Sequence, residues 1–572
     1  MTFTAQTTAW SSIPVGEHLA LFAPMIALTC TLLAIVACPI VLGRGARIAG
    51  AVASVGVLVT FVLAVRLMSK VVDGGLSGLS TDPAAGLLVV DGLSVLFQVI
   101  LVAFLGGVTW LWWLGPGESE PNAPEFLVML LGSALGMALM VSTANLLMIV
   151  IAIEVASLPS YAIVGFDKRD RLGAEASLKY MIFGALCAAI MLYGASLLYG
   201  LVGSLSVADL ADYTVANLAV GQNRLLLAVG LFCLTAGIAF KVSAVPFHFW
   251  CPDAFQGARI VVTTWLSVAS KAAGLVLLAR LVAAFCAAVE VPILISRIQP
   301  MAWAIGIMAA VTCTVGNFSA YRQQSVKRLL AYSSIAHAGY MMMAAAVFIQ
   351  VDVQGHRAGL TALLAYIIIY LFMNLGAFGI TALVVWDCGS DDLQAFSGLM
   401  RRAPLLAIPM IICLMSLVGL PPFAGFIGKW WVLVALGKVG GVLGWSLILV
   451  AAINTLLSLY YYMRIVVLMT LHDDGQARVR SPVGGLTLVN MCALALLLLF
   501  LFAHPLKTFT DRHARVFTGR SVTMSNPTRL DDLYGERTAA GAEPSSRRFN
   551  AGVSSHPQTP GVAAARELAG AY

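Results

Sequence analysis

Long apolar stretches alternate with short polar connections along most of this chain. The stretches centre near residues 31, 57, 102, 135, 155, 188, 235, 272, 309, 340, 371, 417, 456 and 494. A helix needs roughly 20 apolar residues to cross a bilayer. The pattern therefore predicts an all-α membrane protein with about 14 transmembrane helices. The fourth and fifth nearly merge at "STAN" (142–145), and the seventh and twelfth are discontinuous. Proline interrupts the seventh at "KVSAVPFH" (241–248) and the twelfth at "LVGLPPFAGFIGKWW" (417–431). Pro246 cannot donate to the Val242 carbonyl, and Pro421 and Pro422 likewise free the carbonyls of Leu417 and Val418.

Composition removes the soluble alternative. Of the 572 residues 60% are hydrophobic and only 11% charged, against about 25% charged in soluble domains. The net charge of +7 comes from loops and the C-terminal segment, so no nucleic-acid partner is expected. Ten scattered cysteines include no CxxC, so neither an iron–sulfur cluster nor a zinc site is indicated. The N-terminal stretch lacks a basic n-region, and no cleaved signal peptide is expected.

Loop charge orients the pattern. With both termini outside, inner connections hold Arg44, Lys168, Arg259, Lys327, Arg328, Arg401 and others, while the outer ones hold only Lys70, Arg224, Arg297, Arg357 and Lys438. This agrees with the positive-inside rule. It predicts a multi-pass protein of the cell (inner) membrane with periplasmic termini. Residues 505–572, rich in Arg, Ser, Ala, Gly and Pro, read as a disordered basic tail.

Charges persist where lipid would be expected. A charge at the bilayer centre costs about 2.5–3.5 kcal/mol on insertion scales. Glu154, Lys241, Lys271, Lys429 and Arg464 nevertheless lie within apolar runs, with His248, His337 and Lys179 in or near them. Snorkelling from a helix end suits Lys179 as well as a functional role does. His337 and Arg464 stand evenly between function and structure. Lys271 and Lys429 have apolar residues for more than a turn on both sides, which favours function. Burial lowers a lysine's proton affinity and raises a carboxyl's, and an opposite charge reverses both. A Glu–Lys pair that opens and closes is thus a proton switch, with histidine able to relay between such groups.

The spacing suggests a repeat. Lys241 and Lys429 are 188 residues apart, Glu154 and His337 183, and Lys271 and Arg464 193. Two inverted five-helix units, 125–290 and 300–470, are expected, preceded by three helices (1–124) and followed by one more (471–504). A polar path at mid-membrane should join the two breaks, with Lys271 between them.

These motifs resemble the antiporter-like membrane subunits of respiratory complex I, the proton-pumping NADH–quinone oxidoreductase, and are most like its N subunit. The resemblance rests on "IEVASLPSYAIVGF" (153–166), "AEASLKYMIFGA" (174–185), "KVSAVPFHFWCPDAFQGA" (241–258), "RLLAYSSIAHAGY" (328–340) and "GLPPFAGFIGKWW" (419–431). It implies proton transfer through Glu154, paired with Lys241, then Lys271 and Lys429, with His248, His337 and Lys179 as supporting relays. It further implies that quinone reduction elsewhere in the complex drives the transfer. The chain itself is expected to bind no cofactor. NADH, flavin, iron–sulfur clusters and quinone would belong to other subunits, and its partners would be other complex I membrane subunits, lipid and protons. One departure stands out: after "FQGA" the family usually places proline, where this chain has Arg259. The alternatives are a subunit of a multi-component sodium/proton antiporter or membrane-bound hydrogenase, and a structural subunit with a disabled pump.

Overall fold

The computed structural model describes residues 19–523 except 42, 44, 73–86, 116–119, 121, 218–222, 289–294, 350–352, 473–478 and 480. The helices, in chain order, are α1 Ala23–Val41, α2 Ala46–Val72, α3 Gly92–Leu114, α4 Ala123–Val141, α5 Leu146–Val164 and α6 Arg171–Val202. Then come α7 Val207–Asn217, α8 Arg224–Val242, α9 Trp250–Gly257 and α10 Ile260–Ala287. The second half holds α11 Ile295–Ala320, α12 Val326–Val347, α13 Val353–Cys388, α14 Pro404–Val418 and α15 Ala424–Val439. The last three are α16 Gly441–Leu471, α17 Val483–Leu501 and α18 Ala503–Thr523. Among the described residues there is no β-strand, only the isolated bridges Asn145–Ser206 and Ser325–Asp392.

A membrane span must satisfy its backbone internally, which selects helices. Short polar side chains mark where several begin. Asn145, Asp170 and Ser325 cap α5, α6 and α12, and Asp91 forms a capping box with Ser94 at the start of α3.

Twelve described helices are long and apolar enough to cross a membrane, where the sequence suggests about fourteen. The shortfall has two sources. Tyr332, Ser333, Ser334 and His337 dilute the apolar character of α12. The break at residues 419–423 divides the twelfth stretch into α14 and α15, of 15 and 16 residues.

Helices α10 and α13 form the centre, with 89% of their apolar stretch buried, against 33% for α1, α2, α6, α16 and α17. The latter group presents its remaining apolar surface outward, as lipid-facing helices do. Side-chain contacts gather at two ends of the bundle. Lys327 joins Gln256 and Ala258 at one end, the basic face. At the opposite face, Thr143 joins Leu87, and the Val207 amide meets the Ala144 carbonyl.

Residues 505–523, which the sequence assigns to the tail, belong to α18. Leu506, Thr510, His513 and Ala514 are buried there. These positions sit at helical spacing, an apolar and small-residue face that the surrounding Lys, Arg and His obscure in sequence. Residues 1–18 and 524–572, and with them most of the expected tail, lie outside the described residues.

Candidate functional site

The first break comes after α8. Ser243 adopts a left-handed conformation (φ 65°) and its amide donates to the Ala239 and Phe240 carbonyls, ending the helix two residues after Lys241. The exposed carbonyls find side chains. Trp250 Nε1 donates to the Phe240 carbonyl at 3.0 Å, and Ser270 Oγ donates to the Lys241 carbonyl at 3.2 Å. The Val245 amide donates to Thr312 Oγ1 at 3.0 Å, which ties the break to α11.

Lys241 is fully buried, and its Nζ donates to Ser157 Oγ at 3.1 Å. Ser157 lies three residues after Glu154 on α5. Among the described residues no carboxylate oxygen stands within 4.0 Å of Lys241 Nζ, though Glu154 is within its electrostatic reach. The two charges that the sequence suggests as a pair are thus near one another, with a serine hydroxyl holding the ammonium.

Lys271 comes directly after a π-helical turn, Leu266–Ser270, inside α10. Such turns insert an extra residue and rotate the rest of the helix about its axis. Lys271 is fully buried, with Nζ 3.4 Å from Cys251 Sγ and over the rings of Phe255 (4.7 Å) and Trp250 (5.8 Å). Its neighbours on α9 therefore supply one thiol and two aromatic faces in place of an anion.

The second break comes after α14, where Gly419 has φ 86°. Lys429, in the second turn of α15, donates to the Val418 carbonyl at 2.8 Å and lies 4.4 Å from the centre of the Tyr340 ring. Val418 offers one of the carbonyls that Pro421 and Pro422 were expected to free, and the lysine itself occupies it. Lys241, Lys271 and Lys429 all face protein, not lipid.

His337 on α12 joins a chain of hydroxyls. Its Nδ1 lies 2.9 Å from Tyr366 Oη and its Nε2 3.4 Å from Tyr462 Oη, and Tyr462 is bonded in turn to Ser333. His248 sits in the first break, buried, with no hydrogen-bond partner for Nδ1 among the described residues and the ring against Phe249.

Lys179 lies apart from these groups. Its side chain is 43% exposed and bridges Glu175 (2.7 Å) and Asp253 (2.9 Å), while Asp253 also accepts from Arg328 at 2.8 Å. Arg464 serves the end of α11, donating to the carbonyls of Tyr321 and Gln323 and to Gln324 Oε1.

Arg259, at the position where proline is expected, keeps a backbone geometry that proline would also adopt. It has φ −56°, within the range of proline, and Ala258 before it is extended at φ −72°, ψ 155°. Its guanidinium pairs with Glu120, lies 3.7 Å from Asp167 and sits over the Phe166 ring at 5.2 Å.

The sequence reading passes over Ser157, Cys251, Asp253, Tyr366 and Tyr462. It also misses a buried pair, Arg280 with Asp91. Arg280 carries the same signal as Lys271, a charge within a long apolar run; the uncharged residues carry none.

Comparison with known proteins places this geometry. Residues 143–458 match the family model described as NADH:quinone oxidoreductase/Mrp antiporter, transmembrane. The chain is 39% identical to NADH-quinone oxidoreductase subunit N 2 of Sorangium cellulosum, across 77% of this chain and 88% of that protein. It is 36% identical to subunit N of an Anaeromyxobacter species, across 76% and 86%. Among solved structures, a chain of respiratory complex I from Thermus thermophilus matches at TM-score 0.68 and 30% identity, covering 85% of this chain and 98% of that one. A chain of the Mrp complex from a Dietzia species matches at TM-score 0.73 and 19% identity, covering 88% and 99%.

Proposed function

This chain belongs to the NADH:quinone oxidoreductase/Mrp antiporter membrane family, and from that premise we propose that it is the N-type proton-translocating subunit of an NADH–quinone oxidoreductase. The observation that carries the proposal is the burial of Lys241, Lys271 and Lys429 at or between two helix breaks. Three cations are kept out of both water and lipid at a cost in stability, which marks a functional site.

Quinone reduction elsewhere in the complex shifts the balance between Glu154 and Lys241. Lys241, held by Ser157, releases its proton when the carboxylate withdraws. Lys271 accepts a proton and passes it toward His337, where Tyr366 and Tyr462 flank the imidazole. Lys429 delivers it outward. Moving one charge against 100 mV costs about 2.3 kcal/mol, so the transfer depends on the downhill redox reaction. The redox centres belong to other subunits, and this chain alone oxidises no NADH.

The two halves act as inverted repeats, residues 125–290 and 300–470. Supporting this, Gly136 and Gly316 lie 180 residues apart, as do Ala156 and Ala336, and Asn145 and Ser325. A Cβ on Gly136 would meet the Ala156 amide nitrogen at 2.2 Å, and one on Gly316 the Ala336 amide nitrogen at 2.7 Å. The same close helix approach thus recurs in both halves. The membrane is the cell inner membrane, with both termini periplasmic and the basic face cytoplasmic.

A multi-component antiporter is the second reading. The Mrp chain shares the fold at 19% identity, while the complex I chain is 30% identical, which favours the first reading. Purifying the native complex and identifying its co-purifying subunits separates the two. NADH-oxidising and quinone-reducing subunits support the proposal; sodium/proton antiporter components in their place overturn it.

A further inference from the structure

We propose that the buried Asp91–Arg280 pair is a proton-inert seal that stops a proton on Lys271 from leaving along α10 toward the opposite face. The inference rests on the reading of Lys271 as a proton relay.

Arg280 lies nine residues beyond Lys271 on the same helix, about 13 Å further along the axis at 1.5 Å per residue. Residues 272–279, "AAGLVLLA", place no polar side chain between the two. Arg280 then ends the apolar stretch of this helix. Its Nη1 and Nη2 donate to the two Asp91 carboxylate oxygens at 2.7 and 2.9 Å, and its Nε donates to the Val141 carbonyl at 2.9 Å. Asp91 also accepts from the Ser94 amide at 2.8 Å, as the cap of α3. Both residues are buried. One guanidinium thus locks the start of α3, the end of α4 and the far part of α10 together.

The chemistry of the pair suits exclusion and not relay. A guanidinium does not deprotonate in proteins, so it cannot hand a proton on. Bound to both Asp91 oxygens, it forms a pair without net charge, so the barrier is the lack of a group that can take up and release a proton. Asp91 could carry a proton only by releasing a bidentate, charge-assisted contact. On the other side of Lys271, α10 carries the buried hydroxyls of Thr263, Thr264, Ser267 and Ser270, and Cys251 Sγ lies 3.4 Å from the ammonium. The easier way for a proton on Lys271 is therefore sideways, into the second half of the chain.

The test uses membrane vesicles containing the whole complex. Protons translocated per NADH oxidised and passive decay of the pH gradient are compared for the unaltered complex, R280K and D91N/R280Q. The double variant removes both charges and leaves no buried carboxylate unpaired. The expected result is NADH oxidation at the unaltered rate, fewer protons retained per NADH and faster decay of the gradient. R280K keeps a cation that can release its proton, so its gradient decays faster than in the unaltered complex and slower than in D91N/R280Q. Adding K271A to the double variant abolishes the extra leak, because the leak passes through Lys271. A pair that only ties helices together would lower the amount of assembled complex without changing the decay rate. Should D91N/R280Q not assemble, D91N/R280M, which likewise leaves no unpaired charge, is read in the same way. A neutral variant that holds its gradient like the unaltered complex overturns the seal. That outcome leaves the role of Lys271 standing, since K271A alone tests it separately.

Discussion

Lys429 donates to the Val418 carbonyl at 2.8 Å, so the cation of the second half closes on the break that precedes its own helix. In the first half the arrangement differs. The Lys241 carbonyl accepts from Ser270, while its ammonium turns to Ser157. Broken helices expose carbonyls in both halves, but only the second break supplies one directly to its lysine.

Gly419→Ala should disturb that contact. Gly419 has φ +86°, and an added Cβ would lie 2.9 Å from Lys429 Cδ. A left-handed conformation costs an L-residue roughly 1–2 kcal/mol. The complex is expected to assemble with fewer protons translocated per NADH oxidised, as measured by gradient formation in vesicles.

Ser157→Ala removes the acceptor that holds Lys241. Hydrogen bonds to charged groups contribute about 1.5–3 kcal/mol, so proton translocation is expected to fall by roughly tenfold or more. Glu154→Gln should act through the same ammonium. The double variant is then expected to lose less than the two single losses combined, which a double-mutant cycle on pumping rates measures.

Tyr366→Phe and Tyr462→Phe each remove one hydroxyl beside His337 while keeping the ring. Ring packing is conserved, so loss of stability is expected to stay near the 0.5–1.5 kcal/mol of one hydrogen bond for Tyr366 and about twice that for Tyr462, which also meets Ser333. Proton transfer should slow, with a changed solvent isotope effect on pumping. Normal assembly together with unchanged pumping and isotope effect would remove both tyrosines from the relay.

Arg259→Pro is expected to be tolerated. The backbone of Ala258 and Arg259 already has the angles proline needs, and among the described residues the Arg259 amide makes no backbone hydrogen bond. The loss is the ion pair with Glu120, between side chains 34% and 13% exposed, with the weaker contacts to Asp167 and the Phe166 ring. A partly exposed pair is worth on the order of 1 kcal/mol. Thermal unfolding of the complex should shift slightly, and Glu120→Gln should add little to the shift.

Most of the fold could be read from the sequence, because length and apolarity alone decide whether a helix crosses a bilayer. The breaks were legible because proline cannot donate. The three buried lysines were legible because a cation is conspicuous among leucines, and Arg280 should have been recognised by the same rule. The hidden part depends on tertiary approach. Nothing in "CPDAF" says that Cys251 meets Lys271 from a different helix, and Ser157 looks like any small residue of α5. The helix α18 was hidden for another reason: its buried face is short and lies among basic residues.

The central claim is that protons cross through the lysines of this chain, and Lys271→Ala tests it most directly. Among the described residues Lys271 has no carboxylate contact to leave unpaired when removed. The measurement is protons translocated per NADH oxidised, in membrane vesicles where subunit content shows the complex to be assembled. A marked fall in that ratio is predicted. An unchanged ratio would contradict the account and mark this chain as a structural subunit with a disabled pump.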